Sequence, residues 1–307
     1  ITGGINSSVI GVRNSSEKEL YNRVISRMDK FLKLGTTTIE AKSGYGLNTD
    51  AEIKSLKVLH EVNLNHQIDI VPTFMGAHAI PKEYSSNIDS YVDLICDSMI
   101  PQVAQQGIAV FNDVFCEKGY FNLKQSKRIL KKGLEYGLLP RIHSDEFNNL
   151  GATKLAGELS LVSADHLMKI GKNDIEILAD SNTKAVLLPG TTFSLGQSDY
   201  APYHKLKEAG IEVAIATDYN PGSCNIQSMV FIITIAIIFM KMDIFDALCS
   251  STYIPAKLLN INDVCGSIEE GKSADIIVWD IYKPIQIPYH FSISPLKSVI
   301  KSGKIIF

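Results

Sequence analysis

The feature that most constrains this chain is a regular alternation of short β-branched, apolar runs with amphipathic stretches. The runs fall at 36–42, 68–74, 108–115, 139–143, 161–164, 185–188 and 213–216. A helical stretch at 17–34 precedes the first. Others lie between the runs, at 122–136 (Leu123, Ile129, Leu130 and Leu134 near one face), 173–178 and 203–209. Strands alternating with helices imply βαβ units and a parallel sheet. Seven strands suit an open doubly wound sheet, whereas a closed (β/α)8 barrel needs eight. No strand is followed by a Gly-rich nucleotide fingerprint of the kind open sheets use. Polar residues recur instead just past successive strand ends: Lys42 to Tyr45, His78, Cys116 and Glu117, His143 to Glu146, Asp165 and His166, Thr191 and Thr192, and Asp218 to Asn220. In a barrel those ends converge on one face. The expected fold is a TIM-like (β/α)8 barrel with seven of its eight strands visible.

After residue 250 the rhythm changes. A helical stretch at 253–259 leads to Val/Ile runs at 266–279 and 300–306 punctuated by glycines, which read as hairpins. Residues 265–307 are expected to form part of a small composite β-sandwich domain, and 1–264 the barrel. So few strands do not make an independently stable unit.

Composition narrows the function. The 307 residues carry 30 Lys+Arg against 33 Asp+Glu, a net charge of −3, with no basic stripe for nucleic acid. The most apolar run, 229–240, has 12 residues, too short for the ~20 that span a bilayer. No secretory signal is visible at the N-terminus. Five scattered cysteines without CxxC spacing point to a reducing, cytoplasmic compartment.

Several rim segments carry chemistry. His143 and Glu146, three residues apart, bring an imidazole and a carboxylate to one rim, suited to a metal ligand beside a proton acceptor. A capped loop with solvated acids explains the same segment equally well. His166 and His78 follow strands but read singly as ordinary loop histidines. Asp218 could ligate a cation, or belong to a plain Asn-Pro-Gly turn. Asn220, Gly222 and Ser223 offer polar groups to a ligand, and Tyr45 stands on a flexible rim loop. Cys116 fits a small buried hydrophobe better than a nucleophile. Taken together, His143, His166 and Asp218 come from three strands onto one face, the pattern of a metal held at a barrel rim.

At this point the sequence resembles the metal-dependent amidohydrolase superfamily, and within it the branch that opens imidazolone rings. The matching segments are Gly35-Thr-Thr-Thr-Ile-Glu-Ala-Lys-Ser-Gly-Tyr-Gly-Leu47, Pro72-Thr-Phe-Met-Gly-Ala-His-Ala79, Asp113-Val-Phe-Cys-Glu117, His143-Ser-Asp-Glu146, Ser163-Ala-Asp-His166, Ala216-Thr-Asp-Tyr-Asn-Pro-Gly-Ser223 and Gly266-Ser-Ile-Glu-Glu-Gly-Lys-Ser-Ala-Asp275. The resemblance implies hydrolysis of 4-imidazolone-5-propanoate to N-formimidoyl-L-glutamate, with one Zn2+ or Fe ion per subunit. By position His143 and Asp218 match metal ligands. Glu146, His166 and Asp218 match catalytic groups, and Tyr45, His78, Glu146, Asn220, Gly222 and Ser223 match substrate contacts. A homodimer is implied as well. Another cyclic amidohydrolase, a purine or pyrimidine aminohydrolase, and a metal-free, non-catalytic relative are the alternatives.

The family's His-x-His pair at the first barrel strand does not occur here, and the first histidine is His60. With the seven-strand count, this gives the expectation that one βα unit and some small-domain strands, about 100 residues, precede residue 1. A two-ligand site falls short of the three protein ligands usual for catalytic zinc. The 307-residue chain alone is therefore expected to be inactive or insoluble.

Overall fold

Each of the seven apolar runs forms a strand in the computed structural model, which describes residues 4–307. The strands are β1 (Thr38–Lys42), β2 (Asp69–Ala77), β3 (Phe111–Cys116), β4 (Leu139–Ser144), β5 (Ser163–His166), β6 (Lys184–Leu187) and β7 (Val213–Ile215). They pair in chain order, all parallel, into one curled sheet. This is the half-barrel arrangement expected of the TIM-like fold. Among the described residues β1 and β7 each pair with a single neighbour.

The helices form where local chemistry directs them. Helix Glu17–Lys33 opens on a capping box: Ser16 accepts from the Glu19 N–H, and the Glu19 carboxylate accepts from the Ser16 N–H. Helix Leu123–Glu135 repeats the device with Asn122 and Gln125 and buries Ile129 and Leu130. The apolar run forms helix Met229–Met240, capped by Ser228 and ended by Lys241 in the left-handed region. It buries Ile232, Ile233, Ile235 and Ala236, packing against helices Pro189–Ser194, Ile244–Ser251 and Gln286–Tyr289. No helix among the described residues is long and apolar enough to cross a membrane.

Helices Gly4–Asn14 and Thr49–Asn65 were not foreseen from periodicity. The first is tied down by charge. Lys54 Nζ donates to the Val12, Arg13 and Ser15 carbonyls at its C-terminus, and Arg13 Nε donates to Gly46 O at 2.7 Å.

The C-terminal runs form an antiparallel sheet of β8 (Ile276–Trp279), β9 (Leu296–Lys301) and β10 (Lys304–Ile305), in the order β10-β9-β8. Lys301 fastens it to the barrel. Its ammonium, largely buried, pairs with Asp275 and with Asp69 at the start of β2.

Candidate active site

Residues two apart on a strand share a face, so sheet register decides which side chains meet. Phe115, His143 and Asp165 lie side by side on β3, β4 and β5, and Asp113, Arg141 and Ser163 form the row beneath. With Glu40 and Lys42 of β1, these residues build an ionic layer inside the sheet's curve. Lys42 Nζ lies 2.6 Å from Glu40 Oε1 and 2.8 Å from Asp113 Oδ2. Arg141 lies 2.8 Å from Glu40 Oε2 through Nη1, 3.3 Å from Asp165 Oδ2 through Nη2, and donates from Nε to Ser163 Oγ at 2.9 Å. Buried charges are tolerated only when paired and hydrogen-bonded, and here each carboxylate has a cation.

His143 stands on this layer. Its Nδ1 is 3.1 Å from Asp113 Oδ1, while Nε2 has no hydrogen-bond partner among the described residues. Burial works against charge on this imidazole, but the Asp113 carboxylate outweighs it and pushes the pKa up to about 9. The site's field thus favours positive charge at His143. Asp113, His143 and Asp165 bring ligand-type atoms within 4.8 Å of one another, and Asp218 is not part of that cluster.

Beside His143, with ring centroids 5.2 Å apart, sits His166, whose Nε2 is 3.6 Å from Glu146 Oε2. That is too long for a hydrogen bond, so the two groups face each other across a gap. Burial, and then the nearby Asp218 charge, pushes Glu146 up to about 8; burial holds His166 down at about 3. Both are neutral at pH 7. His166 Nδ1 is buried without a hydrogen-bond partner among the described residues. A bare lone pair is tolerated there better than a bare N–H, which places the ring hydrogen on Nε2, toward Glu146.

Asp218 follows β7, and its carboxylate accepts a short hydrogen bond from the Thr191 hydroxyl. Its charge reaches Glu146, His166 and Tyr45. Asp218, His166 and Asp145 all have positive φ, at 50°, 80° and 52°. For side-chain-bearing residues this is strain, of about 1–3 kcal/mol each, and it concentrates at the rim.

Tyr45 and His78 meet edge to face with centroids 5.0 Å apart, and His78 Nδ1 bonds Gly44 O at 3.0 Å. Burial, helped by the His143 charge, lowers His78 to about 4, and burial with the Asp218 charge raises Tyr45. Gly44 has φ of 98°, and a Cβ there would lie 2.7 Å from Met75 O, so only glycine fits beneath this pair. The 220–223 turn is braced from within. Asn220 Oδ1 accepts from the Gly222 and Ser223 N–H groups at 2.8 and 2.7 Å, and its Nδ2 donates to Asp218 O at 2.7 Å. The Asn220 amide therefore holds the turn, with its Nδ2 also donating to the Ser223 hydroxyl at 3.0 Å.

Sequence reasoning placed Glu117 at a strand end without giving it a role, and singled out neither the ionic layer nor the buried Glu52 that shapes the rim. Glu52 accepts from the N–H groups of Gly44, Gly46 and Leu47, each at 2.8 Å, fixing the loop that carries Tyr45. Glu117 accepts from Phe147 N at 2.9 Å and Asn148 N at 3.1 Å, fixing the segment after Glu146. Charged residues at every second place along β1, at Glu40 and Lys42, were the available signal. Cys116 is fully buried, as anticipated.

Residues 140–306 match the model of the Amidohydrolase family. Solved structures agree on the fold. A guanine deaminase from C. acetobutylicum with bound guanine superposes with a TM-score of 0.75 at 17% identity, covering 98% of this chain and 78% of that one. A zinc- and atraton-bound mutant of the atrazine chlorohydrolase TrzN from Arthrobacter aurescens gives 0.71 at 15% identity, covering 95% and 72%. Fold and family match define an amidohydrolase, a hydrolase acting on C–N bonds. Among curated proteins, imidazolonepropionases of Alkaliphilus metalliredigens and Brevibacillus brevis are 42% and 43% identical over 304 residues, 99% of this chain and 72% of each relative. The chain belongs to the imidazolonepropionase family.

Proposed function

We propose that this protein hydrolyses the cyclic amide of 4-imidazolone-5-propanoate to N-formimidoyl-L-glutamate, using one Zn2+ or Fe ion held by His143 and Asp218. The observation that carries the reading is the gathering of His143, Glu146 and His166 on one rim, within reach of the Asp218 charge. The donor chemistry fits such a cation. His143 Nε2 has no hydrogen-bond partner among the described residues, Asp218 brings a carboxylate, and the local field favours positive charge. A bound ion of this kind supplies Lewis acidity and lowers the pKa of a water.

The side chains divide the remaining work. Glu146, protonated at neutral pH, carries the hydrogen that must reach the departing ring nitrogen. His166, neutral with its hydrogen toward Glu146, donates to the oxygen on which negative charge develops. Asp218, held by Thr191, orients the attacking water and takes up the proton it loses. Tyr45, His78 and the 220–223 turn bound the space for the ring and its propanoate. The five cysteines are all unpaired, in keeping with a cytoplasmic enzyme.

The test is turnover of synthetic imidazolone propanoate by the metal-loaded, full-length protein, beside other cyclic amides and amino-substituted purines and pyrimidines. Preferential release of N-formimidoyl-glutamate is expected. Faster turnover of a purine or pyrimidine, or activity untouched by chelators, would overturn the assignment.

A further inference from the structure

We propose that Asp113, clamped by Lys42, is a positioning residue that fixes the tautomer and aim of His143. The inference rests on the proposed role of His143 as a metal ligand. Asp113 is fully buried on β3, one register row beneath His143, and both its oxygens are engaged. Oδ1 meets His143 Nδ1 at 3.1 Å and Oδ2 meets Lys42 Nζ at 2.8 Å. Lys42 is itself anchored to Glu40 Oε1 at 2.6 Å, so the carboxylate cannot turn away from the ring without abandoning a cation in the interior.

A carboxylate has only lone pairs to offer, so a neutral imidazole facing it must present Nδ1–H. That leaves the Nε2 lone pair for the rim, the arrangement by which outer carboxylates orient ligating histidines and raise their basicity. The flanking rings of Phe115 and His166, with centroids 6.1 and 5.2 Å away, limit rotation of His143. The same carboxylate also belongs to the Asp113–His143–Asp165 cluster. A cation bound directly there would have to displace Lys42 from Asp113 or Arg141 from Asp165. Orientation is the role that leaves those pairs intact.

The experiment measures Zn2+ affinity by chelator competition for the full-length wild type, Asp113→Asn, Lys42→Met and His143→Ala, with 15N spectra of the histidine rings. Zn2+ affinity should fall about 10–100-fold in Asp113→Asn and by less in Lys42→Met, each measured at a temperature where the metal-free variant remains folded. In the zinc-loaded wild type, His143 should carry hydrogen on Nδ1 and metal on Nε2, an outcome readable even if a variant does not fold. Affinity unchanged in Asp113→Asn, or hydrogen on Nε2, would overturn the proposal while leaving the metal site standing. Affinity unchanged in His143→Ala would overturn the metal site itself, and this role with it.

Discussion

Glu146 Oε2 and His166 Nε2 confront each other at 3.6 Å as two neutral groups, one an acid that has kept its proton and the other a base that has not taken one. The same cause acts on both. Burial penalises the charged form, which is the carboxylate for Glu146 and the imidazolium for His166. The pair therefore holds one transferable proton on the carboxyl and one hydrogen-bond donor on the ring, poised at a reacting bond.

Replacing Glu146 by Gln keeps the shape and removes the transferable proton. In the full-length enzyme kcat should fall by about 10²–10⁴ with KM little changed. Steady-state kinetics with metal content measured in parallel check this, and an undiminished kcat would remove Glu146 from the chemistry.

The same substitution has a signature in stability. Glu146 rises from an ordinary 4.5 to about 8 on folding, so the folded state binds its proton more tightly than the unfolded one between those values. The stability this contributes is complete below pH 4.5 and is lost as the pH climbs through 8. Glutamine never ionises. Metal-free Glu146→Gln should therefore match wild type near pH 4 and exceed it by about 5 kcal/mol at pH 9, measured by urea unfolding.

His143 gives metal binding its own pH dependence. With a pKa of about 9, it must surrender a proton before Nε2 can take a cation. Apparent Zn2+ affinity should weaken about tenfold for each pH unit below 9, as followed by chelator competition. A flat profile between pH 6 and 8 would show that His143 does not hold the ion.

Arg141 is fully buried between Glu40 and Asp165. Arg141→Met fills the space but takes from Asp165 its nearest cation and from Glu40 one of its two, leaving only Lys42. Removing one partner of a buried ion network is worth about 3–5 kcal/mol, and a loss of that size is expected in urea titrations. A loss under 1 kcal/mol would mean that water reaches the layer.

Glu52 acts more locally. Glu52→Ala releases three backbone N–H groups of the 44–47 loop and should raise KM through Tyr45 more than it lowers kcat. Limited proteolysis within that loop, compared with wild type, checks the cause.

The strands, the parallel order and the rim positions of Tyr45, His78, His143, Glu146, His166 and Asp218 were legible in the chain. Period, breakers and strand ends are local properties, and local properties survive in one dimension. Helix Gly4–Asn14 was not legible, because its place depends on Lys54 and Arg13 finding partners some 30 to 40 residues away. The ionic layer was hidden for the same reason. Glu40, Lys42, Asp113, Arg141 and Asp165 are unremarkable singly, and only the register of four strands turns them into a balanced set. Which groups stay neutral was likewise decided by tertiary structure, since Glu146 and His166 acquire their protonation from burial and from neighbours that no spacing rule brings together. The sequence determined which side chains reach the mouth of the sheet. The fold decided their charge, because electrostatic energy depends on distance and solvent exposure, and neither exists until the strands have paired.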